Sequence, residues 1–156
     1  VGDLAACHRT YDDLHRRVLD ALAVELAAPQ AVWQDMVPRF RALRESIVHL
    51  DERGRFSLQA YELAADVCWR AKDWGEFLKC VQQLLDPIYP RFYPEAFQDE
   101  DQDEATHSPQ SVEAAERQLG RLPEFTAAHI LYFSCVVSKP EPFEVSLILR
   151  RLPTSP

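Results

Sequence analysis

Glycine is scarce in this chain, with four among 156 residues, which leaves little room for a glycine-rich loop that cradles phosphates. No Cys-x-x-Cys pair occurs, although zinc sites need ligand pairs at such close spacing. No signal peptide is evident, and no apolar run approaches the ~20 residues of a membrane-spanning helix. We therefore expect no cofactor, no metal, no small-molecule substrate and no membrane partner.

The four cysteines, at positions 7, 68, 80 and 135, are far apart, and each falls on an apolar helical stripe. This placement is typical of reduced, buried thiols in the cytosol or nucleus. A cysteine nucleophile would need a positioned base. His49 and His129 qualify only by residue type, and His129 lies within an apolar helix, where a satisfied buried histidine is the commoner outcome. We expect no catalytic residue and no enzymatic activity.

Negative charge is concentrated in one stretch. The formal net charge is −8, yet residues 95–110 hold six of the 25 acidic groups and no lysine or arginine, so the remainder carries only −2. High charge with few apolar residues predicts a solvated, flexible loop at 95–110. An acidic protein as a whole is not expected to attract nucleic acid. The length and apolar content predict a single domain, residues 1–156, with this loop inside it.

The dominant period is helical, because apolar residues recur at steps of three and four along most of the chain. About seven helices with short connections suggest antiparallel pairs that stack like tetratricopeptide repeats. Expected boundary signals are an N-cap at Asp3, a helix stop at Gly54, an N-cap at Ser57 and a capping box from Asp73 to Glu76. Pro87 predicts an irregular helix end, and Pro90 and Pro94 predict no helix directly afterwards. A helix after Ser108-Pro109, one from Pro123-Glu124 and one from Pro142 complete the all-α prediction.

The most informative run is 55–89, where two amphipathic segments are joined by the breaker Lys72-Asp73. The first predicted inner face contains Leu58, Tyr61, Ala64, Ala65 and Cys68. The second contains Trp74, Phe77, Val81, Leu84, Leu85 and Ile88. Both segments are typical of surfaces that stack on neighbouring helices. The acids Glu62, Asp66, Asp73 and Glu76 are interpreted as a solvated helix surface.

Several phrases of the sequence form a continuous pattern. They are Arg41-Ala-Leu-Arg44, the stretch 55–62, Lys72-Asp73, Glu76-Phe77, Cys80, Gln83-Leu84 and Tyr89. This block resembles the helical core of the GANP-type scaffolds of mRNA export, and most of all the branch that contains leukocyte receptor cluster member 8. The stretch 124–133 resembles the same branch. The closing phrase 143–153 is similar to a small non-ATPase lid subunit of the proteasome, from the same superfamily.

The resemblance implies a PCI-type helical scaffold in a nuclear complex that links transcription to mRNA processing and export. The expected location is the nucleus, with the cytoplasm as a second location. It implies protein partners, namely another PCI-type subunit and a small acidic protein. The family also implies a winged-helix segment after the helical region, and this chain stops before one, so we interpret it as either a fragment or a reduced member. The acidic insert also departs from the family pattern. The alternative is a lid subunit of the proteasome regulatory particle.

RNA binding is a minor alternative, motivated by the arginines between positions 39 and 55. Acids interleave these arginines, so a solvated face paired with Glu45, Asp51 and Glu52 is the preferred interpretation. Most aromatic residues are expected in the core, Trp69 included. The candidate partner or RNA contacts are Arg41, Arg44, Trp74, Phe92 and Tyr93.

Overall fold

The computed structural model describes residues 3–23, 28–94 and 120–135, and these are helical with short connections and no strand. The helices are α1 (Leu4–Ala23), α2 (Gln30–His49), α3 (Arg55–Ala71), α4 (Trp74–Gln83), α5 (Tyr89–Phe92) and α6 (Leu122–Cys135). The all-α prediction is confirmed for these residues. The chain divides into two compact units, 1–84 and 85–156. The predicted helices after Pro109 and from Pro142, and the acidic segment 95–110, lie outside the described residues.

The first unit is built from α1 to α4, and each helix packs mainly on its neighbour in the sequence. Asp3 caps α1 as predicted, because its Oδ1 accepts from the Ala6 N–H at 2.6 Å. Most of the apolar stripe expected along α1 and α2 is buried, but Leu4 and Leu22, at the two ends of the α1 stripe, are exposed. Its buried members include Cys7, Leu14, Val18, Trp33, Met36, Phe40, Leu43 and Ile47. Pro38 lies inside α2.

The connection between α2 and α3 differs from the prediction. The stop after α2 is Asp51, in the left-handed conformation (φ 52°), with the Glu52 N–H bonded to the Ile47 carbonyl at 3.0 Å. Gly54 instead occupies the N-cap position of α3. Ser57 is therefore not an N-cap: it is buried within the first turn, and its hydroxyl donates to the Gly54 carbonyl at 2.8 Å. A helix stop and an N-cap both occur in this connection, but at Asp51 and Gly54, earlier in the chain than the predicted Gly54 and Ser57.

The breaker Lys72-Asp73 is confirmed between α3 and α4. Lys72 is left-handed (φ 58°), and the Asp73 N–H reaches the Cys68 carbonyl at 3.0 Å. Asp73 then caps α4 by accepting from the Glu76 N–H at 3.1 Å. Only half of the predicted capping box forms, because the Glu76 carboxylate is bound to cationic side chains instead. The predicted inner face of α3 is buried throughout.

Regular helix ends after Gln83, and Asp86 is extended (φ −157°, ψ 105°) before the cis bond to Pro87. This agrees with the irregular helix end that Pro87 predicts. The prediction that Pro90 prevents a helix was wrong. Tyr89–Phe92 forms one short helix with Pro90 in its first turn, where the missing N–H has no helical acceptor to lose.

The second unit includes α5 and α6. As predicted, α6 opens at Pro123-Glu124, with Pro123 in its first turn. Its buried residues are Leu122, Phe125, Thr126 and His129, whereas Leu131 is exposed. His129 is thus buried as expected. Tyr93 packs against Gly120, whose backbone is left-handed (φ 56°).

Candidate functional site: two flanks of helix α4

One flank of α4, here called the ionic flank, is centred on Glu76. The Glu76 side chain is 5% exposed, yet it accepts hydrogen bonds from three cations. Arg41 Nη2 and Lys79 Nζ each lie 2.8 Å from its Oε1, and Arg44 Nη2 donates to its Oε2. Arg44 is itself buried, whereas the side chains of Arg41 and Lys79 are 51% and 67% exposed. The ionic flank therefore has a buried pair at its centre and two exposed cations at its rim.

The electrostatics of Glu76 follow from these contacts. Burial by itself raises the pKa of a carboxylic acid, because it penalises the charged form. Hydrogen bonds from Lys79, Arg44 and Arg41 outweigh that effect and lower the pKa of Glu76 to about 2. Glu76 therefore stays ionised at neutral pH and offsets the buried charge of Arg44. The interpretation of Glu76 as part of a solvated surface was wrong.

The structure changes the assignment of Arg44 and adds a partner for Arg41. Arg44 was expected on a solvated face paired with nearby acids, but its partner Glu76 is 32 residues away. Since Arg44 falls four residues after Phe40 and three before Ile47, its place on the inner stripe of α2 was a usable signal. Arg41 is exposed as a contact residue should be, although its guanidinium is held by Glu76.

A second side of α4, here called the aromatic flank, consists of Trp74 and Phe77 of α4 together with Trp69 of α3. The Trp69 ring lies 5.2 Å from the rings of both Trp74 and Phe77 in edge-to-face geometry, which aromatic pairs prefer. Phe77 is 1% exposed and anchors the group. Trp74 is half-buried, while Trp69 is 43% exposed. The expectation that Trp69 belongs to the core was wrong, because it lies one position past Cys68 and off the buried stripe, which continues at Ala71.

The other two candidate contacts are in the second unit. Phe92 and Tyr93 are both half-buried. The Tyr93 ring lies 5.8 Å from the ring of buried Tyr89. Within the first unit, Arg41 and Arg44 meet on the ionic flank, and Trp74 lies on the aromatic flank.

Two buried thiols lie where α3 and α4 pack together. Cys68 on α3 and Cys80 on α4 are both fully buried and free. Cys7 is buried on α1. Among the residues that the structure describes, no group of three or more histidine, cysteine or acidic side chains is arranged to hold a metal ion. In the same residues, no helix combines the length and apolarity needed to cross a bilayer.

Comparison with known proteins adds no relative: no protein-family model matches the chain, and neither a curated protein nor a solved structure matches it.

Proposed function

We propose that this chain is a non-enzymatic scaffold of the tetratricopeptide-like, PCI-related type, a subunit of a nuclear complex that couples transcription to mRNA processing and export. The observation that most supports a scaffold is the packing of α1 to α4. Each helix packs mainly on its sequence neighbour, as in helical-repeat proteins, and the aromatic flank leaves a large part of Trp69 in solvent. Exposed aromatic groups of this kind mark surfaces that bind other proteins.

The proposed contact surface is the aromatic flank together with the turn between α3 and α4. Arg70 and Lys72 are exposed and lie between Trp69 and Trp74 in the sequence, and the Arg70 guanidinium lies 5.3 Å from the ring of Trp33. Aromatic rings beside cations suit a partner segment that presents apolar and acidic side chains. The small acidic protein implied by the resemblance has that chemistry, and a second PCI-type subunit is the other proposed partner.

The first experiment is affinity purification of the tagged full-length protein from its own cells, followed by mass spectrometry. Recovery of PCI-type subunits with mRNA processing or export factors is the expected result. Recovery of lid and base subunits instead would support the alternative, a subunit of the proteasome regulatory particle. If neither group of proteins is recovered in stoichiometric amounts, both assignments are contradicted.

A matched pair of variants tests the contact surface. Trp69→Ala is expected to reduce partner recovery at least tenfold, since a truncated aromatic anchor typically costs ~2 kcal/mol or more in binding. Val48→Ala removes an apolar side chain that is 65% exposed on α2 and is expected to leave recovery unchanged. Circular dichroism must show both variants folded. Equal recovery for Trp69→Ala and wild type would place the contact elsewhere.

RNA binding is retained as a minor candidate because Arg41 and Lys79 form an exposed cationic rim. The structure of the ionic flank weighs against it, because Arg44 is buried and all three cations already bind Glu76. If RNA is bound, Arg41→Glu should abolish a salt-sensitive affinity. Absence of RNA retention by the purified chain at low salt would exclude this function.

A further inference from the structure

We propose that helix α1 is a dimerisation surface, on which two copies of this chain pair their α1 helices in antiparallel orientation. The first observation is a second stripe on α1, here called the outer stripe, beside the residues that pack on α2. Its positions recur at steps of three and four, so they share one face of the helix. The outer stripe consists of Leu4, His8, Tyr11, His15, Leu19 and Leu22.

The two halves of the outer stripe differ in chemistry. In the N-terminal half, the Phe56 ring of α3 lies 3.9 Å from the His8 ring and 5.6 Å from the Tyr11 ring, which makes a ring cluster. The C-terminal half ends in Leu19 and Leu22, which are 53% and 49% exposed. Covering such leucines releases hydration free energy, and aromatic rings can cover them. One half thus presents apolar side chains in solvent, and the other half presents rings that can receive them.

A ladder of alternating charge beside the outer stripe indicates what the partner is. It consists of Arg9, Asp12, Arg16 and Asp20, which are all exposed. Charges at these spacings commonly pair along one helix. Among the residues that the structure describes, however, the last three make no ion pair, and Arg9 has one contact, with Asp3 at 4.0 Å. The ladder is therefore available to a second molecule.

The order of the charges is complementary to itself when one helix is reversed. In a twofold antiparallel pair, residues whose numbers have the same sum lie at the same level. If Arg9 of one copy is level with Asp20 of the other, then Asp12 lies within one residue, about 1.5 Å, of the level of Arg16. Both pairs join opposite charges, and each occurs twice by symmetry. A parallel pair in register brings like charges together, so the ladder selects a second copy in antiparallel orientation.

The same alignment brings the two halves of the outer stripe together. Leu19 of one copy lies within one residue of the level of Tyr11 in the other copy, and Leu22 lies within one residue of the level of His8. The exposed leucines of each copy therefore pack on the ring cluster of the other. A single pair of helices buries less than the ~1,200 Å² of a standard interface, so the dimer has micromolar affinity.

Sedimentation velocity of the full chain, between about 1 and about 200 µM, measures this association. Wild type should pass from monomer to dimer within the range. Leu19→Glu should raise the dissociation constant at least about tenfold, because it places a charge in the apolar contact of both copies. Val48→Glu changes an apolar residue of α2 that is 65% exposed and should leave the constant unaltered. Circular dichroism checks that both variants are folded. A wild type that stays monomeric, or equal effects of the two substitutions, would overturn the proposal.

A charge exchange tests the alignment itself. Asp12→Arg alone and Arg16→Asp alone each place like charges near the centre of the pair, so each variant should remain monomeric. An equimolar mixture of the two should form a heterodimer. In that mixture the introduced arginine faces the introduced aspartate, and Arg16 of one chain faces Asp12 of the other. If wild type dimerises but the mixture does not, the contact lies on another surface and the antiparallel α1 pair is wrong.

Discussion

Helix α4 has only ten residues, yet its two flanks attach it to the neighbouring helices in different ways. On the ionic flank, Glu76 joins α4 to α2 through directed hydrogen bonds from Arg41 and Arg44. On the aromatic flank, Phe77 and Trp74 hold α4 to Trp69 of α3 through ring contacts and burial. Burial is nondirectional and tolerates small shifts, whereas a buried ion pair tolerates few. The comparison indicates that the aromatic flank supplies most of the stability and the ionic flank fixes the register of α4.

The largest expected loss of stability comes from the aromatic flank. Phe77→Ala should lower the free energy of unfolding by about 4 kcal/mol, because it empties a fully buried ring site. Trp74→Ala should cost about half as much, since Trp74 is only half-buried. Urea unfolding measures both, with Gln82→Ala on the exposed side of α4 as control. Equal costs for the two aromatic variants would show that Trp74 is more deeply packed than the structure indicates.

The ionic flank should respond most strongly at its centre. Glu76→Gln is expected to cost about 3 kcal/mol, because it leaves the buried Arg44 charge uncompensated. Lys79→Met removes a cation from the exposed rim and should cost less than about 1 kcal/mol. Thermal and urea unfolding at neutral pH compare the two. A small effect of Glu76→Gln would mean that Arg44 is solvated in solution and that the flanks do not differ as described.

Acid should separate the flanks further. The pKa of Glu76 is about 2 in the fold, against an ordinary value of 4.5, so its contribution is complete above pH 4.5 and disappears as the pH falls towards 2. Screening of the exposed rim cations reduces the expected loss to about 2 kcal/mol. Urea unfolding of wild type and Glu76→Gln between pH 6 and 2.5 isolates this part. The cost of Phe77→Ala should not change over that range, and a parallel pH dependence of wild type and Glu76→Gln would refute the assignment.

A small effect is also expected at the N-terminus of α4, where the two flanks begin. Asp73 accepts from the Glu76 N–H, and Asp73→Ala should cost about 1 kcal/mol through loss of the cap. Asp73→Ser retains an acceptor and should recover most of that loss. Unfolding in urea measures both. If serine fails to restore stability, then the charge of Asp73 matters more than its hydrogen bond.

Local features of α4 were readable from the sequence, and the pairing across helices was not. The breaker Lys72-Asp73, the cap at Asp73 and the inner face through Phe77 and Val81 follow from spacing and residue type alone. The bond from Arg44 to Glu76 joins positions 32 apart, and a single sequence holds no record of such pairs. The nearby acids Glu45, Asp51 and Glu52 were the obvious partners by distance along the chain. The spacing of Arg44 from Phe40 and Ile47 indicated that it faces inward, but only the packed helices show that Glu76 is its partner.

The turn between α2 and α3 shows a second limit. Gly54 and Ser57 were assigned by their preferences, but Asp51 took the left-handed position and left both for other roles. Aspartate adopts that conformation less readily than glycine, so preference ranked the residues in the wrong order. At Trp69 the position along the helix was the better guide. Its offset from the apolar stripe indicated exposure, and only its aromatic character suggested burial.

The contact between Tyr93 and Gly120 decides which residue the fold accepts at position 120. A Cβ there would lie 2.6 Å from the Tyr93 hydroxyl, and the backbone is left-handed (φ 56°), a conformation that residues with a side chain rarely adopt. Any other residue would therefore have to displace the Tyr93 ring and also accept backbone strain. Two independent requirements, space and backbone geometry, thus restrict position 120 to glycine.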